Sequence, residues 1–148
     1  MINIENVDHL GIRVTDAQRA LSFYKILGFE LHKEVDFDSV IIVKNPRGVE
    51  INFIVNGADL TSGKNILMDV PEKHPGYTHV ALRVDSIIET LKTLEKNNIK
   101  PSQGPVTFGN DGHVSVFIRD PDRNVIELRA RLEDESKIPG LEFYDPAA

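Results

Sequence analysis

The chain carries one short phrase twice. Residues 8–14 read DHLGIRV and residues 78–84 read THVALRV, so His9 stacks on His79, Arg13 on Arg83 and Val14 on Val84, 70 residues apart. A second pair of segments also aligns without a gap. Asn45-Pro46-Arg47-Gly48-Val49-Glu50-Ile51-Asn52-Phe53 lies over Asp120-Pro121-Asp122-Arg123-Asn124-Val125-Ile126-Glu127-Leu128, which sets Asn52 on Glu127. Self-similarity of this kind means two copies of one supersecondary unit.

Each copy reads strand–helix–strand–strand–strand. In the first, residues 7–14 alternate apolar and polar, as a half-buried strand does. Asp16 is placed to cap a helix carrying Ala20, Leu21, Tyr24 and Leu27, and Gly28 ends it. Strands are expected near 29–35, 39–44 and 49–55, with a turn at Pro46-Arg47-Gly48. In the second copy, residues 77–84 form the first strand. Ser86 and Glu89 have the spacing of a capping box. Ile87, Ile88, Leu91 and Leu94 form one apolar stripe, and Asn97-Asn98 stops the helix. Strands follow near 99–101, 113–119 and 124–130. Module 1 thus spans 5–55 and module 2 spans 77–131, within a single domain of residues 1–131. Residues 56–76, with Gly57, Gly63, Pro71, Pro75 and Gly76, read as the linker. Residues 132–148 read as an acidic tail, or as an arm on a partner subunit.

Parity sorts strand side chains by face. Leu10, Ile12 and Val14 share one face, as do Val80, Leu82 and Val84, and these should pack under the helices. The other faces carry His9, Gly11 and Arg13; His79, Ala81 and Arg83; Glu50 and Asn52; and Glu127 and Arg129. Burying a charge without a partner costs several kcal/mol, so these faces are hard to explain as ordinary core. Two imidazoles and one or two carboxylates suit a divalent ion such as zinc, iron(II), nickel, cobalt or manganese. Calcium or magnesium would want more oxygen ligands. Arg13, Arg83 and Arg129 are suited to an anionic substrate, or to neutralising Glu127 and Glu50. His113 begins its strand near the expected rim, as an acid–base group or a surface residue. His32 and His74 read as exposed. Ser115 has no triad with its neighbours, which argues against a serine hydrolase.

Composition narrows the classes. The net charge is −6, which disfavours nucleic acid and anionic membrane surfaces as partners. With no cysteine, thiolate chemistry and disulfides are excluded. No G-x-G-x-x-G or P-loop supports nucleotide binding. No apolar run approaches the ~18 residues of a membrane span. The start, MINIENVDHL, lacks the pattern of a signal peptide, so a cytoplasmic protein is expected.

The motifs DHLGIRV, ALSFYKILGFEL, YTHVALRV and GHVSVFIRDPDRNVIEL together resemble the vicinal oxygen chelate superfamily, over about residues 5–131. That superfamily includes glyoxalase I, extradiol dioxygenases, fosfomycin-modifying enzymes and bleomycin-binding resistance proteins. The resemblance implies an α+β fold of two βαβββ modules, a U-shaped mixed sheet around a concave site with helices outside. It implies one divalent metal held by His9, His79, Glu127 and the position of Asn52, where a glyoxalase I would have glutamate. A two-residue slip would bring in Glu50 instead. With Asn52 there, Glu127 alone remains as a catalytic proton acceptor, because an amide cannot take that role. Arg13, Arg83, Glu50 and His113 then become the substrate-binding set. The implied function is a metal-dependent enzyme chelating vicinal oxygens of a small molecule. A glyoxalase-like lyase or isomerase ranks first. A two-His-one-carboxylate dioxygenase and a non-catalytic drug-binding protein are the alternatives. A homodimer is expected, with modules paired within one chain or exchanged.

Overall fold

The computed structural model describes residues 1–35, 38–109 and 111–147. The chain divides into two compact units, Met1–Gly63 and Lys64–Ala148, and the boundary falls inside the expected linker.

The first unit runs β1 (Leu10–Arg13), α1 (Ala17–Ile26), β2 (Glu30–Val35), β3 (Val40–Lys44) and β4 (Glu50–Ile54). Its four-stranded sheet has the order β1-β4-β3-β2, with β1 parallel to β4 and the other pairs antiparallel. Asp16 caps α1 by accepting a hydrogen bond from the Arg19 N–H at 2.8 Å. At the other end Gly28 adopts a φ of +92°, which lets the Phe29 N–H donate back to the Tyr24 carbonyl. Ala20 and Tyr24, one helical turn apart, are buried against the sheet. The Tyr24 ring sits 4.9 Å from Phe53 and 6.1 Å from Phe29. Val14, Val43, Ile51 and Phe53 complete this core.

The second unit repeats the plan and extends it. Its elements are β5 (His79–Arg83), α2 (Ile87–Lys96), β6 (Gln103–Thr107), β7 (His113–Arg119), β8 (Val125–Arg131) and β9 (Glu142–Phe143). The sheet order is β5-β8-β7-β6-β9, with β5 parallel to β8. Ser86 caps α2 through the Glu89 N–H, and Asn98 takes the left-handed conformation that Gly28 takes in the first unit. Ile87 and Leu94 of α2 and Val114, Val116, Ile118, Ile126 and Leu128 of the sheet form the core. Ile88 and Leu91, expected in the same stripe, are only half-buried.

The two matching turns share one chemistry. Asn45 Oδ1 accepts hydrogen bonds from the N–H groups of Arg47 and Val49, and Asp120 Oδ1 accepts from those of Asp122 and Asn124. The side chain thus replaces backbone partners two and four residues on. Gly48 and Arg123, equivalent in the alignment, both have positive φ.

Two expectations need correction. The strand placed near 99–101 lies at Gln103–Thr107. Pro105 hid it, because proline lacks a ladder N–H; the pairing with β7 shifts register between Gln103 and Val106, where that N–H is not needed. The segment 132–148 is not a free tail. Ile138 is buried, and Glu142–Phe143 adds a parallel strand beside Val106 and Thr107. The second half of the linker is also structured. Asp69 Oδ1 accepts a hydrogen bond from Arg119 Nη2 at 2.8 Å, and Asn65 Nδ2 donates to the Arg123 carbonyl at 3.1 Å.

Two stability tests follow from this packing. Phe53→Ala leaves a void under Tyr24 and should cost about 3–5 kcal/mol in urea unfolding. Burial pushes the Asp69 carboxyl up, but the Asn65 N–H and the guanidinium groups of Arg119 and Arg123 outweigh it and hold the pKa below the usual carboxylate range. A depressed folded pKa stabilises the fold above the ordinary carboxylate value, and that contribution is lost as pH falls through the lowered one. Asp69→Asn should therefore destabilise by on the order of 1 kcal/mol at pH 7. The gap to the parent protein should close on acidification below about pH 4.

Candidate functional site

Each unit brings one histidine and one polar last-strand residue to the sheet face that its helix leaves free. The registers of the two parallel pairs match. Gly11 lies opposite Asn52, and Ala81 lies opposite Glu127. Gly11 and Ala81 each stand two residues after the repeated histidine, so Asn52 is the structural counterpart of Glu127. The alignment of the two turns gives the same equivalence. Glu50 lies one same-face position before Asn52.

In the first unit, His9 immediately precedes β1 and is partly exposed. Its Nδ1 lies 2.6 Å from Asp8 Oδ1 and 3.8 Å from Glu50 Oε2. Glu50 Oε1 is 3.2 Å from Lys44 Nζ. Asn52 Oδ1 is buried and has no hydrogen-bond partner among the described residues, although such atoms are nearly always paired. Arg13 is exposed, and its Nε donates to Asn56 Oδ1 at 3.0 Å.

The second unit holds a denser network. His79 Nδ1 lies 2.9 Å from Thr78 Oγ1, and its Nε2 lies 3.1 Å from Glu127 Oε2. Glu127 is only 7% exposed. A buried carboxylate needs donors, and Ser115 Oγ–H donates to its Oε1 at 2.5 Å, with Arg129 Nη1 3.6 Å from the same oxygen. Arg129 also donates through Nη2 to Asp111 Oδ2 at 2.5 Å. That bond and the His113 N–H hold the Asp111 carboxyl below the usual carboxylate range. His113 Nδ1 lies 2.9 Å from the Asp111 carbonyl, so this histidine closes the outer end of the network. Arg83 is exposed on the edge strand.

Asp8 and Thr78 occupy equivalent positions, and each engages the Nδ1 of the histidine that follows. In each ring Nε2 is the nitrogen that the preceding residue does not engage, and such a contact at Nδ1 is how a neighbour fixes the tautomer of a ligating histidine. Within the second unit, imidazole nitrogen and carboxylate oxygen are donors that suit a borderline divalent ion. Asp8, His9 and Glu50 also place one ligand atom each within 4.8 Å of one another. The Asp8 side chain there is 88% exposed and Glu50 is already paired with Lys44, so water and lysine compete with any cation.

Sequence reasoning did not find Ser115 as the partner of Glu127. Its contact depends on Glu127, 12 residues later, crossing beside it. Asp8 and Thr78 carried a signal too, as polar residues one before each repeated histidine.

Residues 6–128 match the family described as the Glyoxalase/Bleomycin resistance protein/Dioxygenase superfamily. The chain is 29% identical over 136 residues to a lactoylglutathione lyase of Haemophilus influenzae, covering 90% of this chain and 96% of that protein. It is also 29% identical over 136 residues to the glyoxalase domain-containing protein RDO1 of Mycosarcoma maydis, covering 86% of this chain and 69% of that one. Among solved structures, a glyoxalase/dioxygenase from Nostoc punctiforme has a TM-score of 0.68 at 23% identity, covering 88% of this chain and 94% of that one. The fosfomycin resistance protein FosX of Listeria monocytogenes has a TM-score of 0.64 at 17% identity, covering 86% and 94%. These two structures share the fold of two βαβββ modules seen in the repeated registers above. The chain belongs to the Glyoxalase/Bleomycin resistance protein/Dioxygenase superfamily.

Proposed function

We propose that the protein is a metal-dependent enzyme acting on a small molecule through two neighbouring oxygens. The observation that carries this reading is the facing pair of His79 Nε2 and Glu127 Oε2, 3.1 Å apart, with the far carboxylate oxygen held by Ser115. In this reading His9, His79, Glu127 and Asn52 would hold one divalent ion of the zinc, nickel, iron(II), manganese or cobalt class. Such an ion would supply Lewis-acid polarisation of the substrate oxygens and stabilisation of the negative charge that develops on them. Glu127 accepts the proton from the substrate carbon through Oε2, while Ser115 and Arg129 keep Oε1 in place. Asn52 contributes an oxygen but no base. Arg13, Arg83, Glu50 and His113 orient the substrate.

A glyoxalase-like lyase or isomerase is the first reading, supported by the alignment with a lactoylglutathione lyase over nearly its whole length. Asn52 in place of a second carboxylate supports the dioxygenase reading, since two histidines and one carboxylate leave coordination positions open. A drug-binding protein without turnover is the third reading. The same reading takes the protein to be a cytoplasmic homodimer, its modules drawn from one chain or exchanged between two.

Purified protein should carry one metal per site, and metal at 100 times its Kd should add about 2.7 kcal/mol of stability. His9→Ala and His79→Ala should each abolish that gain. Formation of lactoylglutathione should be chelator-sensitive and should fall at least ~100-fold in kcat in Glu127→Gln. Uptake of dioxygen in its place would select the dioxygenase. Metal-free wild-type protein that gains no thermal stability from zinc, nickel, manganese or iron(II) would sink the reading. Ser115→Ala leaves the Glu127 carboxylate loosely held and should weaken metal affinity by roughly 10–100-fold, read by calorimetry.

A further inference from the structure

We infer that the second unit carries an aryl-binding shelf beside Glu127, and that the substrate bears an aromatic or bulky apolar group next to its chelating oxygens. This rests on the metal reading above for the placement of those oxygens. The shelf is a row of rings crossing the five-stranded sheet. Phe117 stands directly opposite Glu127 in the β7–β8 pair and meets the His79 ring edge-on, with centroids 5.7 Å apart. Phe108 meets Phe117 edge-on at 6.2 Å. Tyr144 follows at 5.0 Å from Phe108, tilted by 47°.

Three features set this row apart from core. It lies on the face away from α2, because Val114, Val116 and Ile118 of the same strand occupy the buried side. Phe117 and Phe108 are half-buried, and Tyr144 is 51% exposed, so open ring surface remains on a face otherwise lined by polar groups. Tyr144 is put there by backbone pairing: its N–H donates to the Thr107 carbonyl at 3.0 Å, just past the β6–β9 pair. Aromatic residues make up only 7% of the chain, yet three of them are gathered into this row. Edge-to-face and offset contacts with a further ring are the geometry such open rings favour. A polar, charged peptide group would find no ion-pairing partner on these rings.

Two chelators that share the same vicinal oxygens and differ in a methyl or a phenyl group test the shelf. Acetohydroxamate and benzohydroxamate are titrated by calorimetry into the full-length, zinc-loaded protein. Wild type should bind benzohydroxamate at least tenfold more tightly. Tyr144→Ala and Phe108→Ala should each cut that ratio at least threefold, and Tyr144→Leu, which preserves apolar packing if the alanine variants fail to fold, should cut it too. In metal-free protein, benzohydroxamate but not acetohydroxamate should shift the ring proton resonances of Tyr144 and Phe108. Equal affinities in wild type, or a ratio the variants leave untouched, overturn the shelf while metal binding stands. If no metal binds, the metal reading fails and the ring resonances decide: shifts uphold the shelf, and their absence overturns it.

Discussion

Parallel pairing of the first and last strands in each module, in one common register, is the constraint on which the rest depends. A parallel pair needs a long crossover, and here the helix and the two intervening strands supply it. The crossover lays α1 and α2 on one face of their sheets, and the apolar parity of the strands follows them. The opposite face is then left for His9 and Asn52 in one module, and for His79 and Glu127 in the other. A slip of one residue in either pair would turn these side chains into the core, where an unpaired Glu127 would cost several kcal/mol.

The two modules share geometry and diverge in charge. Glu127 is buried and is surrounded by a hydroxyl, a guanidinium and an imidazole, so its two oxygens are distinguished: one anchored, one facing His79. Its counterpart Asn52 is neutral and leaves a buried oxygen without a hydrogen-bond partner among the described residues. The carboxylate in that strand, Glu50, sits one same-face position away beside Lys44. One module thus presents a carboxylate and the other an amide.

The segments outside the repeat are built into the second unit. Asn65 and Asp69 tie the linker to the Arg119–Arg123 turn, and Glu142–Phe143 extends the sheet past β6. Through that last strand, residues far from the repeated motifs come to flank the histidine face.

What the sequence alone determined are the features set by local rules. The βαβββ order, both helix caps, the stop at Asn97-Asn98, the turn at Pro46-Arg47-Gly48 and the faces of the first and last strand of each module were legible, because helical period, strand parity and turn chemistry act over a few residues. The metal-ligand and substrate roles rest on the resemblance of these motifs to a superfamily, and the family match supports that kinship without assigning the roles. Only tertiary structure decided the remainder. β6 hid behind Pro101 and Pro105, and the acidic composition of 132–148 masked a strand whose partner lies about 35 residues earlier. Ser115 on Glu127, and the row from His79 to Tyr144, arise because strands distant along the chain are brought side by side, and no local pattern records which of them will be neighbours.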